Sequence, residues 1–260
     1  MKFFDWMGHR CIESCFYIID LTYFLIRTLS IWQPQRNVFN RAVYYVFVDQ
    51  LIFIGINAVA IITLLAILVG AGITSQLIFI IQSITGADEL IVILSRLILS
   101  EMGPLVIGLI LIGKSCSTIV VDLGNTKVSG EIEPLQYLGI DVADYFVIPR
   151  ILCMVISQMA LAFYFTAVMI LSGALFSAIM YDFSALKSLS ELLGMISLNG
   201  VLRFMLKNFL FGLIIGTIAC FQGLLVKNSP TQVSEQMQKA VVRSIVFLFI
   251  ADGYFMMYTL

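Results

Sequence analysis

Leu90–Val121, LIVILSRLILSEMGPLVIGLILIGKSCSTIVV, is longer than the roughly 20 apolar residues a helix needs to cross a bilayer, yet it carries Arg96, Glu101 and Lys114. Charges at that depth are costly and mark either a pathway or a packed polar contact. An acidic group follows, Asp122, Glu131, Glu133, Asp141 and Asp144, in a stretch that reads as water-exposed. The combination predicts a bilayer-embedded protein that presents a shaped loop to a partner.

The composition agrees. The 260 residues are 60% hydrophobic and only 12% charged, with a mean hydropathy of +1.02, where a soluble domain carries about 25% charged residues. The expected fold class is all-α and polytopic. The predicted spans are residues 51–73, 90–121, 151–180, 201–226 and 240–260, in a single membrane domain over 1–260. Residues 8–31 alternate Cys11, Phe16, Ile19, Tyr23 and Ile26 with Arg10, Glu13, Asp20 and Arg27. That spacing fits an amphipathic helix lying in the headgroup region or packed on its own bundle. The N-terminus has a charge every few residues and no small-residue cleavage site, so it does not read as a cleaved signal peptide. Lys and Arg gather in the segments that face inside if the N-terminus is inside, which predicts N-in, C-out.

A net charge of −1 offers no basic surface to nucleic acid. One histidine, His9, and five unclustered cysteines give no zinc spacing and no Ser–His–Asp set. No catalytic residue, metal or cofactor is expected. Gly108-Leu-Ile-Leu-Ile-Gly113-Lys114-Ser115 matches the P-loop pattern, but a P-loop needs a strand, an exposed loop and a helix in a soluble core. Inside a span the glycines are expected to pack helices closely, with Lys114 reaching towards the interface. Gly212-Leu-Ile-Ile-Gly216 permits a close helix contact, within one protomer or between two.

Glu101 precedes Gly103-Pro104, where proline disturbs the helix. Its carboxylate lines a cavity or makes a local contact, for instance with Lys207. Asp252, deep in the last span, is expected to face the bundle or a partner. Ile73, Leu77, Ile80, Ile81 and Ile84 recur at helical spacing, as a core stripe or a wall for acyl chains. Residues 131–141 contain a short amphipathic helix, with Pro134 in its first turn and Gly139 at its end.

The segment from Glu101 to Arg150 resembles the MlaE family of ABC-transporter permeases. The residues that carry the likeness are Glu101-Met-Gly-Pro104, Gly113-Lys114-Ser115, Asp122-Leu-Gly124, Lys127-Val128, Glu131-Ile-Glu-Pro-Leu135, Leu138-Gly139-Ile-Asp141 and Pro149-Arg150. Met205-Leu-Lys-Asn208 and Lys239-Ala-Val-Val-Arg-Ser244 extend it. Ser100 departs from the arginine many members have there, and Lys227-Asn-Ser-Pro-Thr231 from their Gly-rich loop.

The resemblance implies a homodimer in the bacterial inner membrane that moves phospholipids between inner and outer membranes. It implies a separate cytoplasmic ABC ATPase, a periplasmic MCE-domain protein and, in many members, a STAS-domain protein. Glu131, Glu133, Leu135, Leu138 and Gly139 would form the ATPase-coupling helix. Glu101, Lys207 and the Ile73–Ile84 stripe would line the lipid pathway. The chain itself would be a transport subunit, with ATP hydrolysis in a partner. Alternatives are the same architecture with a sterol or solvent as cargo, or a membrane-embedded lipid-modifying enzyme.

Overall fold

The computed structural model describes residues 16, 17, 19–28, 47–83, 101–139, 141, 143–181, 198–227 and 229–259. Ile84, Arg96, Cys11 and Cys15 lie outside the described residues, as do the side chains of Leu77, Ile80, Ile81 and Asp144.

The described chain is helical, and five of its helices are long and apolar enough to cross a membrane. A short helix, α1, covers residues 19–28. The first span, α2, covers residues 47–83 and contains a π-helical turn at Ile52–Ile56. The second, α3, is Glu101–Val128, with a π turn at Ile112–Cys116. The short helix α4 is Ile132–Tyr137. The third span, α5, covers residues 143–181, opening with a π turn at Ala143–Val147. The last two are α6, Leu198–Leu225, and α7, Pro230–Thr259.

Two boundaries differ from hydropathy for physical reasons. The polar residues after Val121 continue α3 to Val128, because a helix that leaves the hydrocarbon has no reason to unwind there. Gly130, at φ 72°, turns the chain beyond its end. The last span starts at Pro230, ten residues before the apolar run. Proline is suited to the first helical position, so this residue opens the helix.

α6 is the most buried span and the centre of the bundle, packing against α3, α5 and α7, while α2 lies outside on α5. Successive spans run in opposite senses, so Lys127, Arg150, Lys227, Lys239 and Arg243 share one basic end. The core is Ile, Leu, Val, Phe and Ala from every span, with Phe165, Phe211 and Met154 among its largest fully buried side chains. Without a hydrophobic drive between helices in lipid, close approach and hydrogen bonds must hold the bundle. Gly212 and Gly216 supply the approach inside this chain: a Cβ on Gly212 would lie 2.6 Å from Val155 Cα, and one on Gly216 3.1 Å from Ile151 Cα. Gly108 likewise faces Leu248, whereas Gly113, expected to pack tightly, would meet nothing within 4 Å.

The N-terminal segment has two faces. Phe16, Ile19, Tyr23 and Ile26, its expected apolar stripe, are exposed, while Leu21 and Thr28 are buried. Tyr17 and Phe24 meet Phe221 edge-on at 5.5 Å, and Gln222 Nε2 donates to the Tyr17 hydroxyl at 2.9 Å. Arg243 stacks 3.8 Å from the Tyr17 ring centre, and burial pushes the Tyr17 phenol above its ordinary pKa. The apolar stripe therefore points away from the bundle, and the helix is anchored by its other side.

Gly212→Ala forces α5 and α6 apart. Overpacking of about 1–3 kcal/mol outweighs the roughly 1 kcal/mol that alanine adds to helix propensity. Gly72→Ala, where a Cβ meets nothing, should be neutral or stabilising. Thermal melts of the two purified variants in detergent check this; equal melting points would contradict the packing role of Gly212.

Candidate functional site

Lys207 lies on α6, and its ammonium is paired with two carboxylates: Glu101 of α3 and Asp252 of α7, the latter at 2.5 Å. The three side chains are 5%, 16% and 13% exposed, so water screens them little. Lys207 also sits 5.6 Å from the Phe211 ring centre. Two carboxylates against one ammonium leave an excess negative charge when all three are ionised.

A second polar layer lies beside the cluster. Gln158 of α5 donates through Nε2 to the Pro104 carbonyl and to Asn208 Oδ1, both at 3.1 Å, while Asn208 Nδ2 donates to the Phe204 carbonyl at 2.9 Å. Gln158 and Asn208 are completely buried. Glu101, Gln158, Lys207 and Asp252 thus draw four spans together, far from the basic end. Gly103 brings α3 against Thr166 and Phe204, which lets Glu101 reach the cluster.

Sequence reading left Glu101 between a cavity-lining role and a contact with Lys207, and Asp252 between the bundle and a partner; that the two carboxylates share one ammonium was not foreseen. It missed Gln158 and Asn208. The signal was there, since Gln158 is the one amide in ISQMALAF and Asn208 follows Lys207 directly. Ile73 is half-buried against the core. Lys114 does not reach into water: its Nζ is covered, 5.9 Å from the Phe53 ring centre. The P-loop-like letters fall on a helix with a π turn.

The basic end has its own architecture. Buried Arg150, at the start of α5, pairs with Asp122 of α3, donates to the Phe146 carbonyl at 3.2 Å and lies over the Phe146 ring. Lys127 donates to the Leu224 carbonyl at the end of α6. Together they pin both ends of the loop that carries α4. Within it Ile132 is buried, Leu135 is half-buried, and Glu131 and Glu133 are exposed. Tyr137 and Leu138 are 88% and 75% exposed, and Gly139 closes the turn at φ 76°, a conformation that favours glycine. Tyr137 was not anticipated as part of this surface. Among the described residues no group of three or more His, Cys, Asp or Glu side chains suits a metal ion.

A polytopic bundle with an intramembrane ion cluster at one end and a pinned, exposed helical turn at the other has the form of a transporter's membrane subunit. Residues 47–258 match the family model described as Permease MlaE, and the chain belongs to that family. It is 25% identical over 211 residues to a protein of Rickettsia typhi named probable ABC transporter permease protein, covering 78% of each chain. A protein of the same description from Synechocystis is 25% identical over 162 residues, 62% of each chain. The Arabidopsis thaliana chloroplast protein TRIGALACTOSYLDIACYLGLYCEROL 1 is 29% identical over 152 residues, 58% of this chain and 43% of the relative. The chain is an ABC transporter permease, a multi-pass transport subunit rather than an enzyme.

Lys207→Met should destabilise the bundle by about 3–5 kcal/mol, because two buried carboxylates then face each other without a cation. Adding Glu101→Gln and Asp252→Asn to Lys207→Met should restore much of the loss. Denaturant unfolding in micelles measures both. If the single variant is as stable as the parent, the cluster does not hold the helices.

Proposed function

We propose that this permease moves phospholipids between the inner and outer membranes of a double-membraned bacterium, as a homodimer in the inner membrane, with work supplied by a separate cytoplasmic ABC ATPase. The observation that carries the reading is the pinned α4 loop at the basic end, with Glu131, Glu133, Tyr137 and Leu138 turned outwards. An exposed Tyr–Leu pair beside two carboxylates suits a groove on a partner that is apolar at its centre and basic at its rim. Under the positive-inside rule that end faces the cytoplasm, where an ATPase would be found.

The Asp122–Arg150 and Lys127–Leu224 contacts support coupling, since a push on α4 is delivered to α3, α5 and α6 together. Lipid as cargo is supported by the Arabidopsis relative, which is named after a glycerolipid. The cluster of Glu101 and Lys207 would hold the polar mouth of the pathway, and Ile73, Leu77, Ile80, Ile81 and Ile84 would border its acyl chains. We further propose an MCE-domain protein at the opposite end and a STAS-domain protein on the ATPase. Residues 1–260 would act as one membrane domain.

Glu131→Lys combined with Leu138→Ser should lower co-purification of the ATPase and ATP-driven phospholipid transfer between proteoliposomes by about tenfold or more, given one lost charge contact and one lost apolar anchor. The fold should stay intact. Normal assembly and transfer in the doubly substituted complex would refute the coupling role, and transfer of sterol in place of phospholipid by the unaltered complex would refute the cargo.

A further inference from the structure

Lys114 stands apart from the Glu101–Lys207–Asp252 cluster. It lies thirteen residues further along α3, about 20 Å at 1.5 Å per residue, and eight residues, about 12 Å, before Asp122. That depth is inside the bilayer on the side of the basic end. Its Nζ is covered, and among the described residues it has neither a hydrogen-bond partner nor an ion pair. The Phe53 ring, 5.9 Å away, is at the outer limit of a cation–π contact. The carbonyls of Gly113 and of Lys114 itself accept from neighbouring hydroxyls. Gly113 O accepts from Ser117 Oγ at 2.6 Å, and Lys114 O accepts from Ser117 Oγ at 3.0 Å and Thr118 Oγ1 at 2.6 Å.

The residue before Lys114 leaves space on the helix surface. Gly113 is exposed, and a Cβ there would meet nothing within 4 Å. Lys114 and the ring it approaches both lie on π turns, Ile112–Cys116 of α3 and Ile52–Ile56 of α2. Such turns cost regular hydrogen bonding and concentrate at functional sites. Ile52, Phe53 and Ile56 are exposed along the same turn of α2.

We infer that Lys114, with the opening beside Gly113, is a binding site for the phosphate of a phospholipid headgroup entering sideways between α2 and α3. An ammonium has three protons to donate, and inside the membrane it is stabilised by an anion that offers several acceptor oxygens. A phosphodiester is such an anion. The exposed Ile52, Phe53 and Ile56 would take acyl chains and would reject a hydrated free phosphate, so the lipid is the source of the phosphate group. The site deepens the phospholipid reading and rests on it for the identity of the acyl-bearing ligand.

The full-length protein, stripped of lipid in detergent, is mixed with phosphatidylglycerol or with diacylglycerol of the same chains, and bound lipid is counted by native mass spectrometry. Phosphatidylglycerol should bind about tenfold more weakly to Lys114→Met than to the parent, and Lys114→Arg should keep most of the affinity. Diacylglycerol should bind the parent and Lys114→Met alike. Thermal melts of both variants confirm that they fold.

Equal phosphatidylglycerol binding by the parent and Lys114→Met overturns the site while leaving the phospholipid reading intact. No phosphatidylglycerol bound by the parent overturns both. Inorganic phosphate alone, followed by phosphorus NMR line broadening, should show no Lys114-dependent binding; if it does, the site belongs to a free anion and the lipid assignment falls.

Discussion

An ammonium group held within a bilayer calls for a counter-charge, and at Lys207 two other spans supply it. Glu101 arrives from α3 and Asp252 from α7, while Gln158 of α5 ties the neighbouring Asn208 to the Pro104 carbonyl. The order of helices around α6 follows from this. Leucine is no better off against another helix than against a lipid tail, so apolar faces alone would let the spans slide and rotate. The ion cluster and the Gly212–Val155 approach select one arrangement, and the remaining apolar side chains fill it.

The opposite end uses the same device for a different purpose. Arg150 is buried and Asp122 is half in water, so their pair fixes direction more than it adds stability. It sets where the chain leaves α3 and re-enters α5, and so where α4 stands. The two ends of the molecule are thus each closed by a charge pair, with α3 contributing one acid to both.

Much of this could be read from the residues. Five apolar runs fix five spans because hydrocarbon tolerates little else, and Pro134 with Gly139 bracket a helical turn because of what each does to backbone angles. The Glu101–Lys207 contact was legible only as one of two alternatives, because a charge at that depth is met either by a partner or by a polar cavity. Helix ends outside the hydrocarbon were less so: hydropathy marks where the membrane stops, and neither Val128 nor Pro230 coincides with that limit. Gln158 and Asn208 escaped notice because an amide carries no charge to demand explanation, and their partners lie on other helices. The direction in which the residue 16–28 stripe points also could not be read, since an amphipathic helix has the same period whether its apolar side meets protein or lipid.

The π turn at Ile112–Cys116 has a further consequence for α3. A π turn accommodates one extra residue in an α-helix, and each residue of a helix advances the side-chain direction by about 100°. The half bearing Glu101 and the half bearing Asp122 are therefore rotated relative to what an unbroken helix would give. With the extra residue in place, Glu101 meets Lys207 while Asp122 meets Arg150; without it, satisfying one partner would swing the other acid aside. The irregularity in the middle of the span is what lets a single rod keep two appointments at once.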